Sequence, residues 1–396
     1  MPSQENYAIR PLNTGDVEQY NALLRYAFQI TEQELSECGW QDDEIKQSKF
    51  PVLERADVLG CFDGNDLVSQ IAVYPLKMNI YGVVYPVGFV TSVCTYPEYS
   101  GRGIMKRLMH QSLEHMRQRQ QPVALLFPYS IPLYRKMGWE IISNKISYTV
   151  KDRQIPSQLQ APGRVHRVNW DNEDFRNLHA QFAAATHGCL FRNALAWDED
   201  DTVVAIYYDA AGKPSGYMVY LIKDDIMYVK EMIYLTREAQ QGLWEYIHAH
   251  DSMIDEVRGS SYYSDPIAFE LDDGDIRETI RPYIMGRIVD AEQFFPKYRC
   301  DPTAENVTIA FEIEDHFLPW NNKTVTVLFH RGECSLSAAA AKHHVKLSIA
   351  TLTALMLGYK TATKLQRLGR IEGEERTVRL LDDVLLHEAP YISDYI

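Results

Sequence analysis

The chain has 396 residues, 46% of them apolar and 24% charged, with a formal net charge of −14. That length calls for two or three domains. The acidic balance excludes the basic footprint of a nucleic-acid binder and suits a cationic substrate. No apolar run approaches the roughly 18 residues of a membrane helix, and the first residues carry no basic-then-apolar leader pattern. The six cysteines (Cys38, Cys61, Cys94, Cys189, Cys300, Cys334) are scattered without a C-x-x-C pair, as reduced cytoplasmic thiols are. A soluble, cytoplasmic protein is expected.

In chain order, Ile9 begins a short strand. Asn13-Thr14-Gly15-Asp16 then caps a helix whose apolar face is Val17, Tyr20, Leu24, Ala27 and Phe28. Glu32 to Phe50 is polar and acidic and reads as helix and loop. Val58 to Phe62 is a strand, Asp63-Gly64-Asn65-Asp66 a hairpin turn, and Leu67 to Ile80 the return strand. Tyr81-Gly82 turns the chain into Val83 to Thr95, a strand whose second half, Phe89 to Thr95, is rich in β-branched residues. Pro97 ends that ladder, because it has no N–H to give. After the loop Ser100-Gly101-Arg102-Gly103, the positions Met105, Leu108, Met109, Leu113 and Met116 recur at three and four, the period of a helix with one apolar face. A glycine loop opening a helix offers free N–H groups and a positive dipole end, a site for phosphate or pyrophosphate. Neither the dinucleotide fingerprint nor the P-loop pattern is present. Val123 to Phe127 follows as a buried strand, Pro128 to Tyr134 starts a short helix ending near Gly138, and Trp139 to Val150 reads as one final strand.

From about residue 160 to 285 the order of elements repeats in part. Strands are expected at Thr202 to Asp209, Gly216 to Lys223 and Ile226 to Tyr234, then a helix from Arg237 to Met253 and an extended stretch from Ser261 to Ile267. Tyr234-Leu235-Thr236-Arg237 has no glycine at the helix start, so the backbone there cannot approach a pyrophosphate closely. Beyond Asp290, strands are expected at Val307 to Ile313 and Thr324 to His330, and Lys342 to Lys346 reads as a solvated basic patch. Helices follow at Ile349 to Leu357, capped by Ser348 and closed by Gly358, at Ala362 to Leu368, and at about Thr377 to Leu386. His343-His344 and His248-x-His250 lack a third ligand at metal spacing, and no metal is expected.

The loop Ser100 to Met105 between strand and helix resembles the acetyl-coenzyme A loop of GNAT acetyltransferases. Ser100 stands where Arg or Gln is usual and Met105 where Gly or Ala is usual. With the cofactor-free second copy and the segments Met285-x-Arg287-x-Val289-Asp290, Leu355-x-Leu357-Gly358-Tyr359 and Leu368-Gly369-Arg370-Ile371, the whole chain resembles the Eis (enhanced intracellular survival) family. The resemblance implies an α+β fold of tandem GNAT-like domains, each a mixed central sheet with flanking helices, and a C-terminal sterol-carrier-protein-like α/β domain. The divisions expected are 1–150, 151–290 and 291–396. It further implies acetyl transfer from acetyl-CoA to amines of polycationic small molecules such as aminoglycosides, by a hexamer. Val93, Cys94 and Thr95 would bond the pantetheine arm, and Gly101, Arg102, Gly103, Ile104, Met105 and Lys106 the pyrophosphate. Tyr129 and Ser130 would also touch the cofactor. Tyr134 matches the family's general acid, and the terminal carboxylate of Ile396 its general base. Phe28, Trp40 and Tyr81 are candidates for the acceptor cleft. Two other readings stand beside this one: a protein-lysine or polyamine acetyltransferase, and a coenzyme A sensor whose C-terminal domain binds an apolar ligand.

Overall fold

Residues 7–31, 42–157, 159–192, 202–263 and 266–394 are described by the structure, a computed structural model. Three mixed sheets run through them, each built around one parallel pair. In the first sheet, β1 (Ala8–Pro11), β2 (Asp57–Asp63), β3 (Asp66–Ile80) and β4 (Val83–Thr95) form an antiparallel meander. β5 (Val123–Leu126) then lies parallel to β4. The crossover between β4 and β5 is the helix Ile104–Gln118. Its buried face is Ile104, Leu108, Met109, Ser112, Leu113 and Met116, which keeps the expected stripe except for Met105, only half-buried. Each such Leu or Met contributes about 1.5–3 kcal/mol when fully buried.

Trp139 to Val150 differs from the single strand expected. It splits into β6 (Glu140–Ile141) in the first sheet and β7 (Asn144–Lys151) in the second. β15 (Met285–Ile288), read from sequence as the end of the second region, is inserted into the first sheet between β5 and β6. The first two sheets therefore exchange strands. A short alternating pattern names one buried face but cannot say which sheet covers it.

The second sheet runs β14 (Arg277–Pro282), β7, β13 (Glu256–Ser261), β12 (Ile226–Tyr234), β11 (Pro214–Lys223), β10 (Val203–Tyr208) and β8 (Arg164–Val168). The extended stretch expected at Ser261 to Ile267 is instead β13, several residues earlier. β9 (Leu190–Phe191) pairs back onto β3 of the first sheet. The third sheet orders β18 (Glu333–Leu336), β17 (Thr324–His330), β16 (Val307–Glu314), β19 (His343–Ser348) and β20 (Ile371–Gly373). The basic patch at Lys342 to Lys346 proves to be part of β19, where Val345 and Leu347 alternate inward. The helix Ile349–Met356, capped by Ser348, packs under β15 and β6 and ties the third sheet to the first.

One buried ion pair fixes that junction. Arg287 on β15 pairs with Asp315 at 2.5 Å, with both side chains at most 1% exposed, and its guanidinium also donates to the Met137 carbonyl. Gly138 lies beneath it at φ +80°, where a Cβ would stand 1.7 Å from the Arg287 Nη1 atom. Only glycine fits there, on both counts.

Candidate active site

The site is an opening in the first sheet. β4 and β5 pair from Val87↔Val123 to Val90↔Leu126 and then part. A bulge drives them apart: opposite β3 the register slips between Thr91 and Cys94, and Ser92 takes φ +53°. The Ser92 hydroxyl is held by Tyr20 Oη at 2.9 Å. Past the bulge β4 stays bound to β3, since Tyr96 N–H donates to Val68 O at 3.0 Å. Successive strand residues turn their backbone groups to opposite sides, so those of Thr95 face the opening. The side chain of Cys94 points elsewhere: it is buried, and burial pushes its thiol up to about 12, so it is no nucleophile at neutral pH. Val93 and Thr95 are half-buried, and Thr95 Oγ1 bonds Ser69 Oγ at 2.7 Å.

At the end of the opening lies the glycine loop. Gly101 and Gly103 both take φ +76°, and a Cβ built on either meets open space. The helix after Gly103 has no side-chain cap and no acidic residue in its first turn. Its first N–H donor to another turn is Arg107, bonded to Gly103 O at 3.1 Å. The N–H groups of Ile104, Met105 and Lys106 thus remain available to an anion. Ile104 is buried beneath the helix, Met105 is half-buried and Lys106 exposed. The Arg102 side chain turns away, donating to Tyr7 Oη at 2.5 Å and Glu98 O at 3.0 Å. The residues present fit a pyrophosphate held by backbone.

Across the opening, β5 ends at Leu126 and the chain turns through Tyr129, which is 98% exposed, to Ser130. Ser130 starts the helix Ile131–Arg135, which carries Tyr134 inward beside Trp139 at 6.3 Å between ring centroids. Tyr134 belongs to the apolar cluster that also holds Val90, Ile104 and Leu126. Its hydroxyl makes no hydrogen bond among the described residues. Burial pushes this phenol up to about 12, so it keeps its proton at neutral pH.

Ile396 lies outside the described residues, as does Trp40. The tail before Ile396 is firmly docked. Tyr391 N–H donates to His187 O at 2.9 Å, and Tyr391 and Ile392 are buried. Arg192 bridges two buried carboxylates, Asp394 at 2.6 Å and Glu231 at 2.6 Å. Ser393 Oγ donates to Glu231 at 2.7 Å, and Tyr283 Oη donates to the Asp394 carbonyl at 3.2 Å. The Tyr283 ring meets that of Phe127, the residue after β5, at 5.6 Å. This chain of contacts brings the tail to the β5 side of the opening. Burial raises the Glu231 carboxyl, but the Arg192 charge outweighs it and holds the group at about 2.

Arg192, Glu231 and Tyr283 were absent from the sequence reading. Glu231 had a signal: it alternates with Met227, Val229 and Ile233 on the buried face of β12, where an acid needs a partner. Tyr81 is drawn into packing instead of the cleft, stacked on His187 at 3.8 Å with its hydroxyl on Leu386 O. Phe28 is exposed at the end of its helix. No group of three or more His, Cys, Asp or Glu placed to hold a metal occurs among the described residues, and none of their helices is long and apolar enough to cross a membrane.

Comparison with known proteins agrees with this geometry. Residues 8–142 and 188–288 each match an acetyltransferase (GNAT) domain, and residues 291–393 match a sterol carrier protein domain. A Streptomyces avermitilis protein named an uncharacterised N-acetyltransferase is 23% identical over the whole of both chains. A crystal structure from Enterococcus faecalis, described as a conserved protein of unknown function and probable N-acyltransferase, superposes with a TM-score of 0.91 at 26% identity, covering 99% of this chain and 100% of that one. Eis1 of Mycobacterium abscessus shares the fold, with a TM-score of 0.80 at 19% identity over 98% of this chain and 100% of that one.

Proposed function

We propose, from the premise that this chain is an N-acetyltransferase of the GNAT type, that it moves acetyl from acetyl-CoA to an amine of a polycationic small molecule, with aminoglycosides the class to try first. One observation carries the reading: β4 and β5 part ahead of a bare helix N-terminus, and the Tyr134 hydroxyl makes no hydrogen bond among the described residues. Acetyl-CoA supplies the activated acyl group. Gly101 to Lys106 hold its pyrophosphate through backbone N–H groups, Val93 to Thr95 receive the pantetheine arm as a missing strand would, and Tyr129 and Ser130 flank it. The thioester carbonyl then lies against the Thr95 backbone, where a donor stabilises developing negative charge. The amine nitrogen forms the new C–N bond as the C–S bond breaks. Tyr134 gives its proton to the departing sulfur, and the amine loses one to a base.

The base we assign is the Ile396 carboxylate, two residues past the clamped Asp394. Alone in water its pKa would be about 3.5, and burial would raise that value. The division into catalytic, cofactor-free and sterol-carrier-like parts at 1–150, 151–290 and 291–396, the hexamer and the cytoplasmic setting belong to the same proposal. Thiol release from acetyl-CoA with a panel of aminoglycosides tests it. Turnover with a member of the panel supports the acceptor class. Turnover only with polyamines or lysine peptides transfers the reading to those acceptors, and none with any amine sinks it. A few residues added after Ile396 are expected to stop turnover while acetyl-CoA still binds.

A further inference from the structure

The second sheet has an opening of its own. β12 and β13 are parallel from Ile226↔Glu256 to Val229↔Gly259 and then separate, and β12 bulges at Lys230 just beyond. A cavity of about 200 Å³ lies between the parted ends. That is below the roughly 300–1,000 Å³ of a pocket for a drug-sized ligand, a space for a fragment-sized molecule and too small for a coenzyme.

Its lining is unlike that of the first opening. Tyr148, Tyr234, Trp244, Tyr263 and Tyr391 present aromatic surface, with Glu270 at the rim. The ring of Tyr148 crosses Gly259 where the gap begins, at 2.2 Å from a Cβ built there. The rings of Tyr263 and Tyr391 stand 4.9 Å apart, and those of Tyr234 and Tyr263 6.5 Å. Tyr148, Trp244 and Tyr391 are each 4% exposed. Yet among the described residues the hydroxyls of Tyr148, Tyr263 and Tyr391 and the Trp244 indole N–H have no hydrogen-bond partner. These groups line the cavity, where water or a ligand can meet them. No Lys or Arg lines the cavity among the described residues. Arg237 donates to Gln240 Oε1 at 2.5 Å and its charge reaches Tyr234, while Glu270 is bonded by Gln240 Nε2 and by Tyr234. The walls thus present π faces and one carboxylate. Such a lining attracts a cation and repels an anion.

We infer that the opening between β12 and β13 is a binding site for a small organic ammonium ion, caged by aromatic rings with Glu270 as its counter-charge. It belongs to the second sheet and does not depend on the acceptor assigned above.

Calorimetric titration of the full chain with choline, against its neutral isostere 3,3-dimethylbutan-1-ol, tests this. Choline is expected to bind at one site, with the isostere about tenfold weaker or more. Glu270→Gln, on the exposed rim, should weaken choline about two- to fivefold. Tyr263→Ala should weaken it about tenfold through the lost cage wall. Tyr134→Phe should leave choline binding unchanged. The inference is overturned by an absence of heat at millimolar choline, by equal affinity for the isostere, or by binding that is lost in Tyr134→Phe and kept in both Glu270→Gln and Tyr263→Ala.

Discussion

The first and second sheets open in the same way and use the opening differently. Both part after a short parallel run beside a bulge, at Val90↔Leu126 and at Val229↔Gly259. In the first, the next helix starts at Gly103 with bare N–H groups. In the second, the helix Arg237–His248 starts at Thr236, whose hydroxyl accepts from Ala239 N–H at 3.1 Å, and Glu238 adds a negative charge to the first turn. A cap and an acid fill the place an anion would take. The bulged strand of the second copy instead supplies Glu231, which grips the chain's own tail through Arg192. Strand separation is a property of the fold. What enters the gap is decided by a few residues at the helix start and along the inner strand face.

If the second sheet serves to hold the tail, the largest effect falls on its clamp. Arg192→Met leaves Glu231 and Asp394 buried without their cation and should cost about 3–5 kcal/mol in urea unfolding. A loss under 1 kcal/mol would mean the clamp is idle. Next comes a pH effect. Burial pushes the His187 imidazole down to about 4, although its bond to the Leu357 carbonyl opposes this. Between about 4 and the unfolded value of about 6.5 the unfolded chain holds the extra proton. Stability is therefore complete above about 6.5 and falls by about 3 kcal/mol as pH drops toward 4. His187→Gln should flatten most of that slope.

Tyr134→Phe should lower kcat about a hundredfold while leaving acetyl-CoA affinity in place, measured by stopped-flow and titration. An unchanged rate would remove this phenol from proton transfer. Gly103→Ala forces a side chain to φ +76° and should weaken acetyl-CoA by about tenfold through about 1–2 kcal/mol of strain. Smallest is Thr236→Ala, which removes the second helix's cap for about 1 kcal/mol of stability and should leave acetyl transfer untouched. A fall in transfer there would mean the second opening takes part in the chemistry.

Much of the first opening was legible because its signals are local. Gly101 and Gly103 mark positive φ, and the apolar spacing from Met105 to Met116 marks a helix face. The three-part architecture was legible through the family resemblance, carried by the glycine loop, the partly repeated element order and the segments between Met285 and Ile371. The strand exchange was not, because Asn144 to Lys151 and Met285 to Ile288 alternate like any strand and choose their partners from far along the chain. The tail clamp was illegible for a related reason. Arg192, Glu231 and Asp394 meet only after distant segments fold, and no spacing between them carries information.

The insertion of β15 between β5 and β6 has a consequence for how the protein is made. About 160 residues separate Leu126 from Ile288, so at about 5–20 residues per second the ribosome needs roughly 10–30 s to deliver the strand that closes the sheet. Throughout that interval the nascent cofactor lobe exposes a hydrogen-bonding edge at β5, ready to pair with a neighbouring chain. A fragment released early would keep that edge for good, and should precipitate where the full-length product stays in solution.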